Sequence, residues 1–160
     1  MRVATRGRLW SPARILWRMI EGVQIKEGGE VFAKEYRSLR EAIGWRPIDA
    51  PDEELLAALG LTFNVTARRN DGLLVGLVRL LDDGLLYTSV WDMIVHPAFQ
   101  HLGIGRELFD RVLARTKKRH IVALVATRGG EPMYRKRGFS EESLGSTALF
   151  VRPVESSATT

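Results

Sequence analysis

The chain contains no cysteine, which excludes a disulfide framework, a thiolate nucleophile and any cysteine-based metal site. Histidine is scarce as well: His96, His101 and His120 stand apart with no zinc-ligand spacing, so no metal is expected. No apolar run approaches the roughly 20 residues needed to cross a bilayer, and a soluble cytoplasmic protein is the expectation. Repeats with a period near 20 residues and low-complexity stretches are also missing, which sets aside solenoids and arrays. Acidic residues are lacking altogether from positions 1–20, which hold five of the 24 basic residues. The remainder then carries 19 basic and 19 acidic side chains, so the net charge of +5 belongs to the leader. A neutral body is a poor electrostatic footprint for nucleic acid, and no DNA partner is expected.

What is present fits one domain: 160 residues, 45% of them hydrophobic, are enough for a full core. Positions 1–20 read as a basic leader, 21–154 as the domain and 155–160 as a disordered tail. In the leader, Ser11-Pro12 has the form of a helix start, and Leu9, Ala13, Leu16, Trp17 and Ile20 then share a face with Arg14 and Arg18 off it. An arginine-rich amphipathic segment of this kind suits a transit peptide, a membrane-surface anchor or an RNA-gripping arm. The preferred reading is an upstream start codon with the functional chain beginning near Met19, so RNA or membrane contact through the leader is not expected.

Along the domain, Val23 to Ile25 reads as a strand ending at Gly28-Gly29. Phe32 to Ile43 has helical periodicity through Phe32, Tyr36, Leu39 and Ile43, and Asp52 is placed to cap a second helix over Glu53 to Leu59. Phe63 to Ala67 and Leu73 to Leu81 form a hairpin about Asn70-Asp71-Gly72, and Asp82-Asp83-Gly84 turns the chain into the strand Leu86 to Val95. Leu108, Phe109, Val112 and Leu113 mark the buried stripe of a helix running to about Lys118. Ile121 to Ala126 is a continuous apolar run of the kind found in central strands. Glu131 to Arg137 reads as a short helix and Ala148 to Val151 as a last strand.

Between the strand ending at Val95 and the helix through Leu108 lies His96-Pro97-Ala98-Phe99-Gln100-His101-Leu102-Gly103-Ile104-Gly105-Arg106. Glycines at 103 and 105 remove Cβ atoms that would hold a ligand off the backbone, so consecutive N–H groups at the positive end of a helix can address one anion. The order Gln100-x-x-Gly103-x-Gly105 resembles the pyrophosphate-binding signature of the GNAT acetyltransferases. Tyr134-Arg135-Lys136-Arg137-Gly138-Phe139 resembles that family's second landmark. Trp91-Asp92-Met93-Ile94-Val95-x-Pro97, with Ile43-Gly44-Trp45 before it, is similar to the serotonin N-acetyltransferase-like branch of plants, cyanobacteria and bacteria. The resemblance covers roughly Val23 to Val154 and implies an α/β (α+β) fold, in the order β-α-α-β-β-β-α-β-α-β. Its sheet would be mixed and mostly antiparallel, of roughly six to seven strands splayed between the fourth and fifth, with roughly four helices on its faces.

The resemblance also implies chemistry: transfer of an acetyl group from acetyl-CoA to an amine by direct attack in a ternary complex, without a metal. It assigns Met93, Ile94 and Val95 to the pantetheine and acetyl groups, and Gln100, His101, Leu102, Gly103, Ile104, Gly105 and Arg106 to the pyrophosphate, Arg106 with a charge-assisted contact. Tyr134 is the candidate general acid, because a phenol with a reference pKa of about 10 is protonated at neutral pH and can donate to a departing thiolate. Asp92, on the fourth strand, is the candidate general base, acting through water. His96 precedes a proline at the mouth of the loop and reads as a turn residue. Where the family often carries an asparagine seven residues before the tyrosine, this chain has Thr127, followed by Arg128-Gly129-Gly130. The fifth-strand glutamate of ribosomal-protein acetyltransferases has no counterpart in Ile121 to Ala126, which argues against that subclass.

The resemblance places the acceptor pocket at the first two helices and the loops before the sheet, which here offer the apolar and aromatic set Tyr36, Trp45, Pro47 and Ile48, with Tyr36 and Trp45 as its candidate substrate residues. A small apolar or aromatic amine is therefore the expected acceptor and a monomer or homodimer the expected state. Two alternatives stay open: an acetyltransferase of a protein or aminoacyl-tRNA amine, and a non-catalytic acetyl-CoA-binding regulator.

Overall fold

In the computed structural model the described residues are 20–141. They divide into two units, one ending at Val125 and one beginning at Ala126, and each is taken by itself. The expected leader helix, the strand Ala148 to Val151 and the tail 155–160 lie outside the described residues.

The first unit runs β1 (Val23–Glu27), α1 (Ala33–Ala42), α2 (Asp52–Gly60), β2 (Phe63–Arg69), β3 (Leu74–Asp82), β4 (Tyr87–Val95), a 3-10 turn (Pro97–Phe99), α3 (Ile104–Thr116) and β5 (Ile121–Leu124). These strands lie in one sheet in sequence order. The first three pairings are antiparallel, as short turns require, and β5 joins β4 in parallel through the α3 crossover. The hairpin turn closes at Gly72, whose φ of +90° only glycine adopts without strain, with its N–H donating to Arg69 O. At the next turn Asp83 Oδ1 accepts from the N–H groups of Leu85, Leu86 and Tyr87.

Side chains alternate across β3, and the two faces are covered by different helices. Leu77 joins Tyr36, Leu39, Leu55, Leu59 and Ile94 in the core under α1 and α2. Gly76 points the other way, where a Cβ would meet Ala67, Ile104 and Leu108 at 3.1 Å each, so glycine at 76 is what lets α3 seat closely on β2 and β3. Leu108, Phe109 and Val112 of α3 are fully buried, as the stripe predicts.

The structure departs from the sequence reading at several points. Asp52 is the first residue of α2 rather than its cap. Pro51 holds the cap position without a side-chain bond, and the Asp52 carboxylate pairs with Arg37 instead. β5 stops at Leu124, short of the expected Ala126, and among the described residues it pairs with β4 alone. The sheet has five strands among the described residues, against the larger number expected, because the remaining strand was placed on residues outside them.

The far end of β3 is tied to α3 by a carboxylate. The Asp82 side chain is 3% exposed. It accepts from Arg119 Nε at 2.7 Å and Nη2 at 2.9 Å, from Arg115 Nε at 3.3 Å and from Thr88 Oγ1 at 2.8 Å. Chiefly through the Arg119 bonds, and against the opposing effect of burial, its pKa is held well below the usual carboxylate range. A depressed folded-state pKa stabilises the fold above the unfolded value near 4, and that contribution is lost as pH falls through the folded value. Asp82→Asn should lower the unfolding free energy by roughly 2 kcal/mol at neutral pH, leaving two guanidiniums without their counter-charge and with one acceptor oxygen in place of two. Urea melts of the two proteins should converge as pH drops below about 4; a deficit constant with pH would remove the electrostatic account.

Candidate active site

The site begins where β4 leaves β5. Their pairing runs from Tyr87 opposite Ile121 to Val90 opposite Leu124, and past Val90 the β5-facing edge of β4 has no strand beside it among the described residues. Trp91 to Val95 therefore has no strand partner on one edge among the described residues, while its other edge pairs with β3. A backbone edge left open in this way takes an extended ligand as an added strand.

The same stretch carries a bulge. Leu77 faces Ile94 and Arg79 faces Trp91, so Val78 stands against both Asp92 and Met93. Asp92 takes φ +48°, a left-handed conformation that aspartate tolerates better than a branched residue. The bulge delivers its carboxylate to three donors from other elements. Asp92 Oδ2 accepts from Tyr36 Oη at 2.6 Å and Arg79 Nη1 at 2.8 Å, and Oδ1 lies 3.5 Å from Arg40 Nη1. Arg79 also donates to Tyr36 Oη at 3.1 Å and to Thr62 Oγ1 at 3.2 Å. Burial, then the bond donated to Asp92, holds the Tyr36 phenol above its ordinary pKa, with Arg79 and Arg40 opposing. Trp45 enters through Arg40, whose Cζ lies 4.9 Å from the centre of the Trp45 ring system and 5.5 Å from that of Tyr36.

Beyond Val95 the glycine loop turns into α3. His96 Nδ1 accepts from Ala98 N at 3.2 Å, and its ring stands edge-on to Phe99, so it is a turn residue. Gln100 Nε2 donates to Val95 O at 3.0 Å and fastens the loop back to the end of β4. His101 and Gly103 both take positive φ, +62° and +94°, and Gly103 is the N-cap of α3 with no side chain to offer its first turn. The N–H groups that open α3 thus lack the usual side-chain acceptor, which suits an external anion. His101, Leu102, Gly103, Arg106 and Glu107, with Ile20, line a cavity of about 390 Å³. A Cβ on Gly105 would rest 3.6 Å from Met93 Cε and Val95 Cγ2, ordinary contact that brings the first turn of α3 against the open half of β4.

The second unit holds α4 (Glu131–Arg135) and explains the spacing of the tyrosine landmark. Gly138, at φ +90°, donates to Arg135 O at 3.0 Å, and Phe139 N donates to Tyr134 O at 3.3 Å. That pair of bonds is a Schellman closure, and it sets Phe139 edge-on to the Tyr134 ring with centroids 6.3 Å apart. α4 is two residues shorter than expected because this closure begins at Lys136. On the other side the Tyr134 ring lies over Gly130, where a Cβ would come within 3.2 Å of it. Burial raises the phenol pKa, so the hydroxyl keeps its proton at neutral pH. Thr127 is spent within this loop, accepting from Gly130 N at its Oγ1 and from Gly130 N and Glu131 N at its carbonyl.

The structure therefore gathers Tyr36, Trp45 and Asp92 in one cluster, and Met93, Ile94, Val95 and Gln100 to Arg106 along one edge and loop, all in the first unit. Tyr134 lies in the second. The sequence reading missed Arg40 and Arg79, although an arginine four residues after Tyr36 and another inside the apolar strand Leu74 to Leu81 were visible signals.

With that geometry in place, comparison with known proteins is decisive about the family. Residues 62–141 match the acetyltransferase (GNAT) domain. The chain belongs to the GNAT acetyltransferases. It is similar to the ycf52-like N-acetyltransferase of Prochlorococcus marinus, 31% identical over 124 residues that cover 72% of this chain and 67% of that one. It is also similar to a soybean protein named a histone acetyltransferase, 27% identical over 149 residues, 84% of this chain and 63% of the other. The chain thus spans somewhat under two thirds of the soybean relative's length. Among solved structures, a GNAT-family acetyltransferase from Streptococcus pneumoniae is 30% identical, with a TM-score of 0.68 over 83% of this chain and 99% of that one. The GNAT fold is what β1 to β5 and α1 to α4 form.

Proposed function

We propose that this GNAT domain is an N-acetyltransferase that moves the acetyl group of acetyl-CoA to a small amine, in the manner of the serotonin N-acetyltransferase-like branch. The observation that carries the reading is the open edge of β4 over Trp91 to Val95, running directly into the Gly103 start of α3. Met93, Ile94 and Val95 offer backbone groups to the amide-bearing pantetheine arm, and residues His101 to Arg106 take the pyrophosphate, with Gln100 holding the loop in place. The amine nitrogen attacks the thioester carbonyl carbon, the C–S bond breaks with its electron pair on sulfur, the thiolate takes a proton from Tyr134, and the amine gives up one to water.

Asp92 enters this reading as a positioning residue. Its Oδ2 already accepts two hydrogen bonds and its Oδ1 faces Arg40, so it orients Tyr36 and the two guanidiniums, whatever part it also takes in relaying a proton through water. Those guanidiniums disfavour an ammonium nearby, and so favour the neutral amine that the reaction needs. The same charges speak against a polycationic acceptor such as a histone tail, which the soybean relative's name would otherwise suggest. The test is thiol release from acetyl-CoA by the full chain against a panel of small amines. Turnover with several apolar amines is expected. Tight acetyl-CoA binding with no thiol released against any of them would favour a non-catalytic regulator.

A further inference from the structure

Arg40 is the least satisfied charged group of the cluster. Its guanidinium reaches Tyr36 Oη at 3.4 Å, Asp92 Oδ1 at 3.5 Å and Arg46 O at 3.4 Å, all long contacts, and its Nε is buried without a hydrogen-bond partner. Arg79 beside it is bound closely, at 2.8 Å to the same aspartate. The cluster therefore holds two guanidiniums against one carboxylate, with side chains only 12–19% exposed. Neighbouring acids do not supply the missing charge: Glu35 is taken by Arg68 and Asp52 by Arg37. Part-buried positive charge in excess calls for an anion, and a guanidinium fork suits a carboxylate in particular. Beside this charge lies apolar surface. Trp91 stands opposite Arg79 in the β3–β4 register, on the same face of the sheet, and is 42% exposed.

We propose that the acceptor is an amine that also carries a carboxylate, an α-amino acid with an apolar or aromatic side chain, and that Arg40 receives its carboxylate while Trp91 receives the side chain. This rests on the small-amine reading above and narrows its substrate class. The product is the corresponding N-acetyl amino acid, formed by the same exchange of an N–C bond for a C–S bond. Arg40 is then a specificity-determining residue. Asp92 and the rings of Trp45 and Tyr36 border its guanidinium and limit where it can reach.

The test uses the full chain, acetyl-CoA and matched probes: phenylalanine against 2-phenylethylamine, tryptophan against tryptamine, leucine against 3-methylbutylamine, and the methyl ester of each amino acid. The carboxylate-bearing member of at least one pair is expected to have kcat/KM about tenfold or more above its decarboxylated partner, and the methyl ester should fall back with the amine. Arg40→Met should erase the preference, kcat/KM for the amino acid falling about tenfold further than that for its matched amine. The methyl esters make the same comparison on the wild-type chain, so the result does not depend on how the variant folds. Amines turned over as well as or better than the amino acids would overturn the inference and leave the small-amine reading standing. No thiol release with either member of any pair, while calorimetry shows acetyl-CoA bound, would overturn both.

Discussion

Gly103→Val is expected to weaken acetyl-CoA binding by about a hundredfold, close to 3 kcal/mol, in a protein that still folds. Two effects add. Gly103 sits at φ +94°, where a β-branched residue is strained, and relaxing that strain shifts the backbone that opens α3. A side chain there would also fill space that a ligand could use, since no atom of the described residues lies within 4 Å of where its Cβ would sit. Gly105→Ala separates the two effects. Gly105 lies inside α3, where alanine favours the helix, and its Cβ would make ordinary contact with Met93 and Val95. That variant should melt no lower than the wild type, so any affinity it loses reports crowding of the ligand alone. Titration calorimetry on both, with thermal melts alongside, decides the assignment: unchanged affinity in folded Gly103→Val would remove the loop from the cofactor site.

Local signals carried much of this architecture, and they stopped where distant residues had to meet. Asn70-Asp71-Gly72 and Asp82-Asp83-Gly84 fixed the turns because a positive φ and an aspartate accepting backbone N–H groups are needs met within a few residues. The glycine loop was legible for the same reason. The tyrosine landmark was visible as a pattern, and its physical content is the Schellman closure: Gly138 turns the chain so that Phe139 returns onto the Tyr134 ring. The acceptor cluster was only half legible. Tyr36 and Trp45 could be named from their helix and the loop after it, but what Asp92 does depends on Arg79, which the β4 bulge brings to it across the sheet. A one-residue bulge leaves no mark in the pattern of apolar residues. Charge inside an apolar strand does leave one, and Arg79 within Leu74 to Leu81 was the residue whose partner needed to be sought.

Tyr134→Phe is expected to cut kcat about a hundredfold while leaving acetyl-CoA affinity unchanged, the mark of a group that acts only as the thiolate departs. The substitution deletes one oxygen and keeps the ring, which is what packs over Gly130 and meets Phe139 edge-on. The Schellman closure uses backbone atoms of Tyr134, so it survives as well. Thermal melts on both proteins separate lost turnover from a displaced helix. The pH dependence supplies the second readout. A proton donor works in its protonated form, so wild-type activity persists at neutral pH and falls only as pH rises through the phenol's folded-state pKa, which burial has moved upward from 10. The phenylalanine variant should lack that alkaline limb altogether, with a low rate that the phenol's titration no longer shapes. Wild-type turnover in the variant, or an alkaline limb that survives the loss of the hydroxyl, would show that the thiolate leaves by taking its proton from water, and that Tyr134 is present in the landmark for its packing.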